Sequence, residues 1–292
     1  MTNKWLKVAL MVTAIATGTS IKIDAETVLY VPQDDRPVSL QYTVDTAREA
    51  GMTVLTPPQH LISGKTYQGQ ADQIMAWVEQ NAGRADVMVL STDTLIYGGL
   101  VDSRKHNIPL STLQNRLKRI EGLKARNKNV RIYGFGTVMR SPRASGGGTE
   151  PAYYAEYGPT IFQIAALQDK LDSGSLTQEE TQKLMSLQAS VPVEYLQDWF
   201  DRRQKNMKIN KELIDETRSG VFDYFALGHD DTSQLSQSAL EGRYLNKYSK
   251  DISVEKYGSF PGADQLGLLL MARSRTCLLY TSDAADDSLR GD

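Results

Sequence analysis

The stretch TVLYVPQDDRP (residues 27–37) begins as an apolar run and ends in two aspartates and an arginine between prolines. A short run of this kind, rich in β-branched and aromatic residues and stopped by proline, predicts a buried β-strand. The charges that follow have two explanations, a polar connecting loop or one wall of a functional site. The remaining sequence decides between them.

Short apolar runs alternate with longer helical patterns along the chain. Strands are predicted at 28–31, 53–56, 87–91, 130–138, 222–227 and 252–257. Helices are predicted at 40–50, 70–81, 110–126, 238–248 and 264–273, and a long helical insertion at 160–218. Such alternation is typical of a parallel sheet covered by helices. We therefore predict an α/β fold with a three-layer, doubly wound sheet; an incomplete (β/α) barrel is the alternative.

The two ends of the chain differ from its middle. Residues 1–25 join two lysines to a short apolar core, which is typical of a secretory signal peptide and too short for a membrane span. We therefore expect a periplasmic or secreted protein whose α/β domain covers residues 26–276. Residues 277–292 do not continue the preceding helical pattern, and 277–287 can be encoded by a transposon-based sequencing adapter. We expect this tail to be non-native and the natural chain to be longer.

Composition narrows the possible partners. The formal charge is -2, from 33 basic and 35 acidic residues, with no long basic block. This argues against a nucleic-acid-binding protein, and no membrane span is expected once the signal is removed. Cys277 is the only cysteine and lies in the tail, so no disulfide is expected in the α/β domain. The expected partner is a small molecule or a glycan.

Polar clusters follow the predicted strands where each strand ends. Ligands of parallel α/β folds bind beyond the carboxyl ends of the strands, so these clusters are expected to meet on one edge of the sheet. The clusters contain Asp34, Asp35 and Arg36 after the first strand, Asp93 and Tyr97 after the third, Arg140 after the fourth, His229, Asp230 and Asp231 after the fifth, and Asp264 after the sixth.

Helix capping is the simpler explanation for some of these carboxylates. Asp35, Asp231 and Asp264 each precede a predicted helix, where a short carboxylate accepts backbone N–H groups. A cap needs only one carboxylate, however, and two of these aspartates have an adjacent acidic partner. Crowded like charges raise a pKa or require a cation, which favours a functional cleft.

The leading hypothesis is a hydrolase that acts on a polar, carbohydrate substrate. Glycoside cleavage uses two carboxylates as acid and base or nucleophile. We expect Asp35 and Asp230 to form this pair, with Asp93 as the third candidate, and no cofactor is needed. Substrate-binding roles are expected for Arg36, Tyr97, Arg140 and Asp264.

Two alternatives remain open. Hard cations prefer oxygen ligands, so a Mg²⁺, Mn²⁺ or Ca²⁺ ion bound by Asp34, Asp231 and His229 would make the protein a metal-dependent hydrolase. The other alternative is a solute- or glycan-binding protein without chemistry. Chelator sensitivity would separate the first from the leading hypothesis, and an unchanged ligand after incubation would indicate the second.

The helical insertion and the segment that precedes it give weaker indications of function. The glycine-rich run at 145–149 lacks the lysine of a phosphate-binding loop, and we interpret it as a mobile lid. Trp199, Arg202 and Arg203 are interpreted as scaffold together with a solvated helix face.

Six motifs occur in order along the chain: VPQDDRP at 31–37, DTLIYGGL at 93–100, MRSP at 139–142, YAEYG at 154–158, HDDT at 229–232 and PGAD at 261–264. Together they resemble a bacterial family of unknown function, domain of unknown function 4127. The resemblance covers nearly the whole chain up to the tail, and the family has no assigned activity to carry over. It implies that the strand-end clusters are the signature of the family. Gln265 stands where an acidic residue is expected.

Overall fold

The computed structural model describes residues 26–144, 147–231 and 233–275. The predicted signal peptide and the predicted non-native tail lie outside these residues. The described strands are β1 (Thr27–Val31), β2 (Thr53–Leu55), β3 (Val87–Ser91), β4 (Arg131–Val138), β5 (Tyr224–His229) and β6 (Tyr257–Pro261).

Helices connect these strands. They are α1 (Gln41–Glu49), α2 (Ala71–Asn81), α3 (Thr92–Tyr97), α4 (Leu100–Lys105), α5 (Leu110–Arg126), α6 (Tyr154–Asp172), α7 (Gln178–Ala189), α8 (Val193–Ser219), α9 (Gln237–Tyr248) and α10 (266–275). None of the helices in the described ranges has the length and apolar character needed to cross a membrane.

The six strands form one parallel sheet in the order β2-β1-β3-β4-β5-β6. β2 and β6 lie at opposite edges, so the sheet is open. This confirms the doubly wound α/β prediction, whereas the alternative of a barrel is not observed. The chain reverses direction across the sheet at β1 and β3, which is where open α/β sheets place a ligand crevice.

Alternate side chains of each strand pack on opposite faces of the sheet. In β1, Val28 and Tyr30 belong to a core shared with α1 and α10. Leu29 and Val31 belong to the core on the other face, shared with α2, α5 and α8. Full burial of each aliphatic side chain stabilises the folded state by about 1.5–3 kcal/mol. Burial on both faces explains why β1 is a continuous apolar run rather than an alternating one.

Three helices, α6 to α8, lie between β4 and β5. Trp199 in α8 is buried in a separate apolar cluster with residues of α6 and α7. The later part of α8 joins the main core through Ile209 and Leu213. The solvated-face interpretation of Arg202 and Arg203 is wrong, since their exposed fractions are 2% and 1%.

Two local differences from the predicted elements affect the functional edge. The sixth strand lies at Tyr257–Pro261 rather than at 252–257, because Tyr257 pairs with Phe225 and only the residues after it continue the ladder. The short helices α3 and α4 were not predicted. Gly98 joins them with a φ of 114°, which an L side chain rarely adopts.

A candidate active-site cleft

A cleft with a volume of about 270 Å³ opens at the carboxyl edge of the sheet. Its walls come from the loops after β1, β2, β4, β5 and β6 and from α4, so topology alone brings these distant segments together. The lining residues are Asp34, Arg36, Lys65, Leu100, Val101, Arg104, Arg140, Thr149, Asp230 and Asp264.

Asp230 and Arg104 form the innermost ion pair of the cleft. Arg104 Nη2 donates to Asp230 Oδ2 at 2.5 Å, and the two side chains are 5% and 14% exposed. Burial raises the pKa of the Asp230 carboxyl, and the positive charge of Arg104 opposes that rise. Asp230 is therefore a carboxyl group that faces the cleft and holds its proton more strongly than an exposed aspartate.

Asp93 lies behind this pair, near the start of α3. Its side chain is fully buried, and Thr137 Oγ1 donates to its Oδ2 at 2.7 Å. Burial raises the pKa of Asp93 to about 7, the negative charge of Asp230 adds to the rise, and Thr137 and Arg104 oppose it. Asp93 does not line the cleft, and its link to the lining residues is electrostatic, through Asp230 and Arg104.

Arg36 joins two walls of the cleft. Its Nε donates to Asp34 Oδ2 at 2.7 Å, within the loop that follows β1. Its Nη2 and Nη1 donate to the two oxygens of Asp264 at 2.7 and 3.2 Å, in the loop that follows β6. This bidentate pair links the loop that follows β1 to the loop that follows β6.

Arg140 forms the wall after β4. Its Nε donates to Glu150 Oε1 at 2.7 Å, and its Nη2 donates to Thr149 Oγ1 at 2.7 Å. Its own carbonyl accepts from Nη1 of Arg203 at 2.9 Å. Arg203 is also bound to Glu241, so a buried ion pair between α8 and α9 holds the backbone that carries Arg140.

The structure brings five of the predicted site residues to the cleft, namely Asp34, Arg36, Arg140, Asp230 and Asp264. Asp35 is not among the lining residues, and its carboxylate accepts a hydrogen bond from the Tyr67 hydroxyl.

Tyr97 does not reach the cleft. It lines a separate cavity of about 580 Å³, where its ring lies 4.9 Å from that of His106.

The residues of the metal alternative do not form a common ligand set. Asp231 accepts backbone N–H groups from Ser141 and Ser233 at 3.3 and 2.9 Å. The His229 ring lies 2.6 Å from Ser259 Oγ through its Nε2, and burial lowers its pKa. Within the described ranges, no group of three or more histidine, cysteine, aspartate or glutamate side chains could hold a metal ion.

Three charged residues in or beside the cleft received no predicted role. Lys65 and Arg104 line the cleft, and Glu150 is bound to Arg140. The Gly98-Gly99 pair was a usable signal for Arg104, because it ends α3 in a left-handed turn and begins α4, the helix that carries Arg104. Nothing in the sequence marks Glu150 or Lys65, since both lie in irregular segments without a motif.

The chain matches the family model described as "Protein of unknown function (DUF4127)" over residues 28–278. The matched range covers β2 to β6, all of β1 except Thr27, and every lining residue of the cleft. A search of curated proteins finds none that matches the chain.

Proposed function

We propose that this chain, which belongs to the DUF4127 family of proteins of unknown function, is a hydrolase that acts on a polar, carbohydrate substrate in the carboxyl-edge cleft. The observation that carries the proposal is Asp230, a cleft-facing carboxyl with a raised pKa, backed by the buried carboxyl of Asp93. Groups whose pKa is perturbed in a cleft are typical of acid–base catalysts.

Asp230 is proposed as the general acid and base. A raised pKa lets a carboxyl carry the proton that a leaving group needs near neutral pH. Asp34 takes the place of Asp35 as the second carboxylate, because Asp34 faces the cleft and Asp35 does not. Arg36 binds Asp34 through its Nε and so fixes the position of this carboxylate on the cleft wall.

Arg140, Arg36 and Asp264 are proposed to orient the substrate. Their side chains come from three loops that surround Asp230, and ion pairs hold two of them together. Positioning of this kind lowers the entropic cost of bringing a substrate bond to the acid–base group.

Export is part of the same proposal. The signal-like composition of residues 1–25 supports a periplasmic or secreted location, where a glycan would be an accessible substrate. Detection of the mature protein in a periplasmic fraction, without residues 1–25, would test this directly.

Asp230→Asn tests the assignment. Wild-type protein and the variant are incubated with a panel of oligosaccharides, with and without a chelator, and products are measured. The variant is expected to lose about 10²–10⁴-fold in turnover, because the amide cannot exchange a proton. Asp45→Asn, on the exposed side of α1, serves as the matched control.

Each contrary result has a distinct meaning. Full activity in Asp230→Asn would reject the acid–base role. Activity that chelator removes would favour the metal-dependent alternative. Ligand that is retained but unchanged in the wild-type protein would favour a binding protein.

A further inference from the structure

The three carboxylates on the cleft wall are already engaged by arginine groups. Both carboxylate oxygens of Asp34 accept from Arg36, one from its backbone N–H and one from its Nε. Both oxygens of Asp264 also accept from Arg36. One oxygen of Asp230 accepts from Arg104. Each of these carboxylates therefore has a charged donor within the protein.

Donors in the cleft are less fully used. Arg104 is 4% exposed, and only its Nη2 makes a short contact, with Asp230. Its Nη1 lies 4.0 Å from Glu150, and its Nε is buried without a partner among the described residues. Lys65 lines the same cleft with an exposed side chain, and the ion pairs found in the described ranges do not include it.

The contrast between engaged carboxylates and available cationic donors favours one class of ligand over another. A sugar hydroxyl both donates and accepts, whereas a carboxylate, sulfate or phosphate oxygen only accepts. Guanidinium groups bind such anions with strong, charge-assisted hydrogen bonds. We infer that the substrate is an acidic sugar, whose anionic group is bound by Arg104, Arg140 and Lys65. This inference rests on the proposed function and names the substrate class of the same cleft.

Charge in the cleft agrees with an anionic group. Four cationic side chains face three carboxylates on its walls, which leaves one positive charge in excess. Glu150, bound to Arg140 outside the lining, offsets that excess while Asp230 is ionised. Protonation of Asp230, which a general acid requires, restores the excess positive charge. The anion is therefore bound best in the state that starts the proposed reaction.

Calorimetric titration tests the inference without requiring turnover. Glucose and galactose are compared with their uronates, 6-sulfates and 6-phosphates, which change only the group at C6. At least one anionic form is expected to bind about ten-fold or more tightly than the parent sugar. The three anionic arms distinguish a carboxylate, a sulfate and a phosphate as the group that is recognised.

Two variants locate the binding group. Arg104→Gln is expected to remove the preference for the anionic sugar. Because Arg104 is buried against Asp230, Lys65→Gln provides an exposed second variant, expected to reduce the preference about two- to five-fold. Lys128→Gln, an exposed lysine before β4 at the opposite edge of the sheet, is the matched control and should leave it unchanged.

The outcomes separate the two levels of the proposal. Equal affinity for neutral and anionic sugars, absence of binding in every arm, or a preference unchanged in both variants would overturn the inference. Hydrolysis of neutral glycosides together with equal affinity for neutral and anionic sugars would overturn the acidic-sugar inference but not the proposed hydrolase. A clear anionic preference in a protein that hydrolyses no acidic glycoside would instead refute the proposed hydrolase.

Discussion

The advantage in stability of Asp93→Asn over the wild-type protein should grow as pH rises. The Asp93 carboxyl is fully buried, and its desolvated position holds the proton until the pH reaches about 7. In the unfolded chain the same carboxyl loses its proton near the ordinary aspartate pKa of 3.8. The amide of asparagine fills the same space and still accepts from the Thr137 hydroxyl, but it does not titrate.

The magnitude follows from these two pKa values. At pH values between these two pKa values, the native state retains a proton that the unfolded chain releases. The free energy of unfolding therefore falls as pH rises through this range. The full effect is about three pH units at 1.36 kcal/mol each, or about 4 kcal/mol. Between pH 5 and pH 8 the loss is about 2.5 kcal/mol. Asp93→Asn lacks this loss, so its advantage over wild type grows by the same amount.

Urea unfolding at pH 5, 6, 7 and 8 measures the effect. The difference in free energy of unfolding between Asp93→Asn and wild type is plotted against pH. Asp45→Asn, on the exposed side of α1, controls for the loss of one carboxyl group and should follow the wild-type curve. A difference that stays constant from pH 5 to pH 8 would refute the argument that burial holds the proton on Asp93.

Three further predictions concern stability and are checked by the same unfolding assay. Arg203→Met should cost about 3–5 kcal/mol, because it leaves the 10%-exposed side chain of Glu241 as an unpaired buried charge. Gly136→Ala should cost about 1–3 kcal/mol, since its Cβ would lie 2.4 Å from Thr92 Oγ1, whereas Gly83→Ala, with open space, should be close to neutral. Asp264→Asn should cost less than about 1 kcal/mol, because its ion pair with Arg36 is half exposed; a larger loss would show that the pair holds the sheet edge together.

The order of strands and helices was accessible from the sequence because of one physical regularity. Strands buried on both faces of a parallel sheet are continuous apolar runs, and β1, β3 and β5 are runs of this kind. The weaker prediction was β6, whose burial pattern is mostly intermediate. An edge strand has less apolar burial to mark it, so its position at Tyr257–Pro261 depends on pairing with β5.

Residues whose roles depend on tertiary contacts were not accessible in the same way. Arg203 follows a helical pattern like any solvated arginine, and only the packing of α8 against α9 shows that it is buried with Glu241. The position of Arg104 depends on the left-handed turn at Gly98, which joins two short helices. The carboxyl edge of the sheet was predictable, but the set of cations around Asp230 required the fold.

The two pairs of adjacent aspartates predicted a functional cleft, yet the structure separates the two members of each pair. Asp34 faces the cleft and is bound by Arg36, whereas its neighbour Asp35 is bound by Tyr67 outside it. Adjacent residues in a loop direct their side chains to different sides, so adjacency in sequence does not produce crowding in space.

The same separation occurs after β5, where Asp231 accepts backbone N–H groups and Asp230 faces the cleft. The carboxylates that do influence each other are Asp93 and Asp230, which come from different strands of the sheet. A parallel sheet brings such strand ends together regardless of their distance in sequence. The electrostatic coupling of Asp93 and Asp230 is therefore a property of the topology rather than of adjacency in the sequence.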